Sequence, residues 1–121
     1  MADSPRRGGN GSRDDIRDLK WSAAEKAIAR KAFNLALQRE IEIVIRKSKD
    51  RAAKIEQPSE LWELEHYLTR SRQGIDSKFD FRYSILPLVF GNLIREGRLH
   101  EQELLGLGED KLAYIRRLAK P

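Results

Sequence analysis

The residues best suited to chemistry lie in the stretch LWELEHYLTRSRQGID, residues 61–76. A tryptophan, an acid–histidine pair and an arginine stand there among leucines: Trp62, Glu65, His66 and Arg72. These residue types could form a metal site, a catalytic cluster or the wall of a protein interface. Their spacing along a helix distinguishes the three.

A metal site is not supported by the spacing. A zinc-binding helix carries ligands at positions i and i+4, which share one face. Four residues from His66, the chain has Trp62 on one side and Arg70 on the other. The second histidine, His100, lies in a different predicted element. We therefore expect both histidines to be surface or interface residues and expect no metal site.

The sequence also lacks the usual features of an enzyme. It contains no cysteine, and it has no nucleophile elbow, P-loop or dinucleotide-binding glycine motif. Glu65 and His66 cannot form a proton relay, because adjacent side chains on a helix diverge by about 100°. We expect no enzymatic activity and no cofactor.

Helical geometry favours a protein interface. At about 100° per residue, one side of the helix becomes apolar, with Leu61, Leu64, Leu68 and Ile75. Glu65 and Arg72 flank that side, and Trp62 and His66 form a strip beside it. Trp and Arg at the rim of an apolar seam are the residue types enriched in interface hot spots. The alternative is an ordinary buried leucine face, with Trp62 in the core.

Composition indicates one small domain. The chain has 121 residues, of which 40% are hydrophobic and 36% charged, as in long amphipathic helices. The net charge of +5 makes nucleic acid a partner to consider. Acidic residues alternate with the basic ones along every helix, however, so we do not expect nucleic-acid binding. No apolar run reaches the roughly 20 residues of a membrane span, and no secretory signal is present. We expect a cytoplasmic protein without a membrane partner.

Helix signals begin after a polar start. Residues 1–20 are rich in Gly, Ser, Arg and Asp, so we predict a disordered tail. Ser22 and Glu25 form a capping box, and neither Gly nor Pro interrupts the helix that continues to about residue 55. Pro58 begins a second helix, for which Ser59 is a candidate cap.

More helices are predicted after residue 80, and no strand. A turn or kink is expected near Asp80, a kink or helix boundary at Pro87, and a helix end at Gly97. Two shorter helices follow, in HEQELLGL and EDKLAYIRRLA. The fold class is therefore all-α, with a single helical domain over residues 21–121.

The long helices carry more apolar surface than one small domain can bury. A helix of more than 30 residues without a break suggests pairing with another subunit. We predict a homodimer whose interface uses Leu61, Leu64 and Leu68 of the second helix with Phe33 and Leu37 of the first.

The sequence resembles a known family over residues 61–112. The run LWELEHYLTRSRQGIDSKFDFRYSILPLVFGNLIREGRL, followed by QELLGL and EDKL, is similar to the fluorescence recovery protein family of cyanobacteria. The similarity is weaker in the first helix, at WSAAE and FNLALQREIE. The resemblance implies a dimer. A bent helical stalk (residues 21–80) pairs the subunits, and a smaller helical head (residues 81–121) stands at each end.

The resemblance also implies a regulatory function. Members bind the photoactivated red form of the orange carotenoid protein, chiefly through its C-terminal domain, and speed its return to the inactive orange form. This ends energy quenching at the phycobilisome and involves no covalent chemistry. Trp62 and Arg72 match family positions, whereas Glu65 and His66 stand where members usually have His-Asp. The alternative is a homologue with another, unknown protein partner, in a bacterium without the carotenoid protein.

Overall fold

The computed structural model describes residues 16–121. Its helices, in chain order, are α1 (Ala23–Ala53), α2 (Pro58–Lys78), α3 (Leu86–Arg95), a 3-10 helix (Glu101–Leu104) and α4 (Glu109–Ala119). The described residues contain no β-strand, which agrees with the predicted all-α fold. The predicted disordered tail falls mainly on residues 1–15, outside the described residues, and residues 16–18 are helical.

The capping box at the start of α1 is present as predicted. The hydroxyl of Ser22 accepts a hydrogen bond from the Glu25 N–H (3.1 Å), and the Glu25 carboxylate accepts one from the Ser22 N–H (2.9 Å). The second oxygen of Glu25 accepts the N–H of Gly108 (2.6 Å) and lies 3.1 Å from the buried ammonium of Lys111. One carboxylate therefore caps α1 and joins it to the start of α4.

The surroundings of Glu25 favour its ionised form. Burial by itself would raise the pKa of this carboxyl. The N–H donors of Ser22 and Gly108 and the ammonium of Lys111 outweigh burial and lower the pKa to about 2. The group is thus a charged part of the fold at neutral pH.

The hydrophobic core lies between the first half of α1 and the C-terminal helices. On α1 the buried stripe consists of Ala29, Ala32, Phe33 and Ala36. The facing residues come from α3, α4 and the segment between them: Leu86, Val89, Phe90, Leu93, Leu99, Leu104, Leu107, Leu112 and Ile115. We call this unit, residues 23–36 with 79–119, the head. It includes the start of α1, which the sequence alone placed with the stalk.

The limits of α3 are set by Pro87 and Gly97, as predicted. Pro87 lies in the first turn of the helix, where a missing N–H removes no intrahelical hydrogen bond. Gly97 has φ of +80°. The N–H groups of Gly97 and Arg98 bond to the carbonyls of Ile94 (3.0 Å) and Leu93 (2.8 Å). This pattern is a Schellman helix end, and it turns the chain back toward α1.

The second half of α1 (residues 37–53) and α2 form an antiparallel helical hairpin, which we call the stalk. Glu40 pairs with Lys78 near one end, and Arg51 stacks on Tyr67 farther along. No residue of α2 is fully buried in the single chain. The stalk therefore leaves most of its apolar side chains in contact with solvent.

Ion pairs hold the stalk to the head. The Glu40 carboxylate lies 3.1 Å from Lys78 Nζ and 2.6 Å from Arg98 Nε, and Lys78 also contacts Glu96 at 2.8 Å. Burial opposes ionisation of Glu40, but Arg98 and Lys78 prevail and lower its pKa. The network joins the end of α2, the middle of α1 and the chain just after α3.

A second ion pair, between Arg39 and Glu103, lies beside the Glu40 network. The guanidinium of Arg39 donates two hydrogen bonds to the Glu103 carboxylate, at 2.8 and 2.6 Å. The hydrogen bonds from Arg39 lower the pKa of Glu103 to about 2. The His100 N–H also lowers this pKa, whereas burial alone would raise it. A bidentate pair has defined geometry, so the 3-10 helix is fixed against α1.

Candidate protein-interaction surface

The candidate site is carried by α2, and the start of that helix differs from the sequence prediction. The N-cap is Gln57, with Pro58 in the first turn, so Ser59 lies inside the helix and does not cap it. The carboxylate of Glu60 accepts the N–H groups of Glu56 (2.7 Å) and Gln57 (2.8 Å). These bonds lower the pKa of Glu60. An acid at the third helical position thus satisfies free N–H donors that precede the helix.

The leucine face of α2 is only partly covered by the chain itself. Leu64 is half-buried against α1, whereas Leu61 is 46% exposed and Leu68 is 42% exposed. Leu61 and Leu68 are seven residues apart, two helical turns, so they lie on the same flank. The alternative of an ordinary buried leucine face therefore does not describe the single chain.

Exposed isoleucines of α1 extend this apolar flank. Ile41 and Ile45 are 42% and 48% exposed and border a shallow groove of about 440 Å³ that also includes Leu37. Because the hairpin is antiparallel and both helices are right-handed, these isoleucines lie on the same side as Leu61 and Leu68. We call the five residues Leu37, Ile41, Ile45, Leu61 and Leu68 the apolar face.

Glu65 and Arg72 border the apolar face. They lie two helical turns apart on α2 and project beside Leu61 and Leu68. Glu65 accepts a hydrogen bond from the hydroxyl of Thr69 at 3.1 Å. Arg72 is exposed, and its guanidinium forms no hydrogen bond or ion pair within residues 16–121. An arginine beside an apolar surface, with no partner in the described part of its own chain, is suited to contact a carboxylate on another protein.

Trp62 and His66 face a different part of the stalk. They line a groove of about 530 Å³ on the side away from the exposed leucines, which we call the stalk groove. Tyr67 and Arg70 of α2 and Arg51 of α1 complete its wall. Trp62 is 64% exposed, so the alternative of a core tryptophan does not describe the single chain. The predicted cluster is thus divided between two surfaces.

Phe33 is the one predicted interface residue that the chain covers by itself. Its ring packs edge-on against Phe79 and Phe81, with centroids 5.5 and 5.0 Å apart, and the residue is 6% exposed. A ring so enclosed has little surface for a second subunit, so the apolar face does not include it. The sequence pattern could not reveal this, because Phe33 follows the same helical stripe as Leu37.

Arg51 of the stalk groove was not singled out from the sequence. It meets Tyr67 and Arg70 of α2 only because α1 and α2 fold back on each other. Arg51 and Tyr67 are sixteen positions apart, and no local pattern links them. A basic residue in the last turn of α1 was the available signal, but it is also a common feature of helix ends.

The described residues hold neither a metal-ligand cluster nor a membrane-spanning helix. Nowhere in residues 16–121 do three His, Asp or Glu side chains come together as a metal site requires. None of the described helices combines the length and the apolar character that crossing a bilayer demands.

Comparison with known proteins identifies the family. The family described as photoprotection regulator fluorescence recovery protein matches residues 21–119. The chain belongs to the fluorescence recovery protein family. The match begins at Trp21, beside the capping box, and includes both stalk helices and the whole head. The resemblance noted from the sequence is confirmed.

Individual members of the fluorescence recovery protein family agree in sequence and in structure. The fluorescence recovery protein of Synechocystis sp. is 37% identical over 103 residues, covering 85% of this chain and 94% of that protein. The solved structure of the Fremyella diplosiphon protein is 41% identical, with a TM-score of 0.80, and covers 83% of this chain and 98% of that one. The Synechocystis structure gives a TM-score of 0.79 at 37% identity, with the same coverage. The fold predicted from the sequence is therefore that of the family.

Proposed function

We propose that this protein binds the photoactivated red form of the orange carotenoid protein and accelerates its return to the orange form. The observation that carries the proposal is the family match over residues 21–119. Two features support it. Trp62 and Arg72, which match family positions, are both exposed, and the Arg72 guanidinium has no partner within the described residues.

The proposed mechanism is conformational. An accelerator of this kind must bind an intermediate on the return path more tightly than it binds the red starting state. Arg72 supplies a planar guanidinium that can hold a carboxylate of the carotenoid protein through two hydrogen bonds. The exposed indole of Trp62 supplies apolar contact area at a low cost in side-chain entropy. The C-terminal domain of the carotenoid protein is the proposed binding partner.

We further propose that the active species is a homodimer formed through the apolar face. In one chain, four of its five residues are more than 40% exposed: Ile41, Ile45, Leu61 and Leu68. If the apolar face packed against the same face of a second copy, these side chains would be removed from water. Burial of apolar area contributes about 25 cal/mol per Å² before the cost of association is counted.

A second candidate is a family member with a different protein partner. The observation that favours it is the position of charge around Glu65 and His66. Members usually have His-Asp at these two positions. Here Glu65 borders the apolar face, and His66 lines the stalk groove together with Arg51 and Arg70. A groove that has two arginines and lacks the aspartate favours acidic contacts over basic ones.

The experiment that separates these candidates is a recovery assay. Purified carotenoid protein is converted to the red form by light, and its absorbance is followed in the dark with and without this protein. Concentration-dependent acceleration supports the first candidate. No acceleration by a folded protein at any concentration supports the second.

A further inference from the structure

The stalk groove contains Trp62, which the proposed function assigns to partner contact, together with charged residues that the proposed function does not use. It lies on the opposite flank of α2 from Leu61 and Leu68, and its volume is about 530 Å³. Its wall combines aromatic rings with positive charge. Its lining includes Arg51, Trp62, Glu63, His66, Tyr67 and Arg70.

Arg51 is held in place by stacking. The central carbon of its guanidinium lies 4.4 Å from the centroid of the Tyr67 ring, a cation–π contact. The side chain forms no ion pair within the described residues. A stacked guanidinium keeps its N–H donors free at the edge of the plane. Arg51 is therefore positioned in advance to bind a carboxylate, and less side-chain entropy is lost on binding.

Arg70 gives the groove a second positive charge. It lies three positions after Tyr67, which places it one turn farther along the same flank of α2. It too has no hydrogen bond or ion pair with any residue in the part of the chain that is described. Glu63 is the one carboxylate among the lining residues. Arg51 and Arg70 thus give the lining two positive charges against the one negative charge of Glu63.

Trp62 supplies an apolar surface between the charges. The indole ring is 64% exposed, although tryptophan usually buries most of its surface. His66 lies one turn from it on the same side. A purely ionic ligand would leave this ring in water, so the surface is suited to a ligand that has both an apolar side chain and negative charge.

We propose that the stalk groove binds an acidic segment of a protein partner. One aromatic or large aliphatic side chain packs on Trp62, and flanking carboxylates contact Arg51 and Arg70. A membrane or nucleic acid would require an unbroken basic surface, whereas Glu63 interrupts this one and Glu60 lines the adjoining groove. The inference rests on the proposed function in one respect, since both assign Trp62 to contact with a protein partner.

A peptide of defined chemistry tests the proposal. The probe is a fluorescein-labelled decapeptide of Glu and Asp with one central Phe. One comparison peptide has Gln and Asn in place of the acids, and another has Gly in place of the Phe. We expect the acidic Phe peptide to bind the full-length chain about tenfold more tightly than either comparison peptide. Equal binding of the neutral peptide, or no binding, would overturn the proposal.

Matched variants assign the binding to the groove. The variant Arg51→Gln with Arg70→Gln should bind the acidic peptide at least about tenfold more weakly. The control is Arg46→Gln with Lys49→Gln, which removes the same charge from exposed positions of α1 that face away from α2. Its affinity should stay within about twofold of the wild type. An equal loss in both variants would mean that net charge alone attracts the peptide, and would overturn the assignment.

Peptide binding and dark recovery are measured on the same wild-type protein, so the groove and the proposed function can fail independently. A wild type that binds the acidic peptide but does not accelerate recovery contradicts the proposed function and supports the groove. A wild type that accelerates recovery but does not bind the peptide contradicts the groove alone. Tighter binding to phosphatidylserine vesicles or duplex DNA than to the peptide would also contradict the proposed partner class.

Discussion

Trp62 and Arg72 lie about 80° apart around α2, so the two side chains serve different surfaces of the stalk. Trp62 lines the stalk groove beside Arg51. Arg72 projects next to Leu61 and Leu68, whose side chains remain exposed. A partner that contacts both Trp62 and Arg72 must therefore extend across the outer surface of the helix. The two residues can be tested separately.

The apolar face predicts a homodimer that one charge can disrupt. Leu61→Glu would place a carboxylate without a partner in the buried seam, which costs several kcal/mol. We expect the wild type to be a dimer at tens of micromolar and the variant to be a monomer with helical content unchanged. Light scattering measures the mass, and circular dichroism measures the helix.

Leu105 provides the matched control for this experiment. It is 61% exposed, but it lies in the head, away from the apolar face. Leu105→Glu should therefore leave the dimer intact. A monomeric wild type, or a Leu61→Glu protein that dimerises as tightly as the wild type, would show that the apolar face has another role.

Arg72 is predicted to contribute to partner binding and not to folding. Its guanidinium has no partner in the described chain, so Arg72→Leu removes no intramolecular contact. The melting temperature and the dimer should stay nearly unchanged, while binding of the carotenoid protein weakens by about 1–3 kcal/mol. Calorimetric titration gives the affinity, and Arg46→Leu is the control. Normal binding by a folded Arg72→Leu protein would rule out this contact.

The Glu25–Lys111 pair predicts a large stability effect in the head. Glu25→Gln removes the nearer carboxylate from the buried Lys111 ammonium and leaves Asp110, which is half-exposed and 3.4 Å away; loss of one partner of a buried pair costs about 3 kcal/mol. Adding Lys111→Met removes the buried positive charge and should restore part of that loss. Urea denaturation gives the free energy of unfolding for each protein. Equal stability of Glu25→Gln and the wild type would contradict the assigned role.

The same pair predicts how stability depends on pH. The pKa of Glu25 is about 2 in the folded protein, against about 4.3 for an unperturbed Glu. A lowered pKa contributes stability that is complete above the unfolded value and is lost as pH falls toward the folded value. The difference in the free energy of unfolding between the wild type and Glu25→Gln should therefore be constant above about pH 5.5. It should shrink between about pH 4.5 and 2. A difference that does not change with pH would show that ionisation is not its source.

Most of the fold could be read from local sequence signals. Ser22 with Glu25, Pro87 and Gly97 each act through nearby backbone geometry, so their effects could be predicted without tertiary information. Ser59 was assigned wrongly as a cap because the helix begins one residue earlier, at Pro58, with Gln57 as its N-cap. The assignment of the start of α1 to the head required knowledge of which helices pack against Ala29 and Phe33.

Less of the candidate site than of the fold could be predicted from the sequence. The helical period placed Leu61, Leu68 and Arg72 together correctly, because all three lie on one helix. It could not show that Ile41 and Ile45 continue the same surface, since that depends on how the hairpin closes. Arg51 and Tyr67 meet for the same reason. Phe33 and Leu37 share one stripe, and only the packing of Phe79 and Phe81 distinguishes core from surface.

The central claim is that the chain retains the activity of its family in reduced form, because Glu65 and His66 have replaced His-Asp. The most direct measurement is the dark recovery of red carotenoid protein to orange, followed by absorbance, with the wild type and with the exchange Glu65→His plus His66→Asp. A histidine at position 66 cannot supply the negative charge of an aspartate, so we predict modest acceleration by the wild type and faster recovery with the exchange. If neither folded protein changes the recovery rate at any concentration, the account is wrong and the chain acts on a different partner.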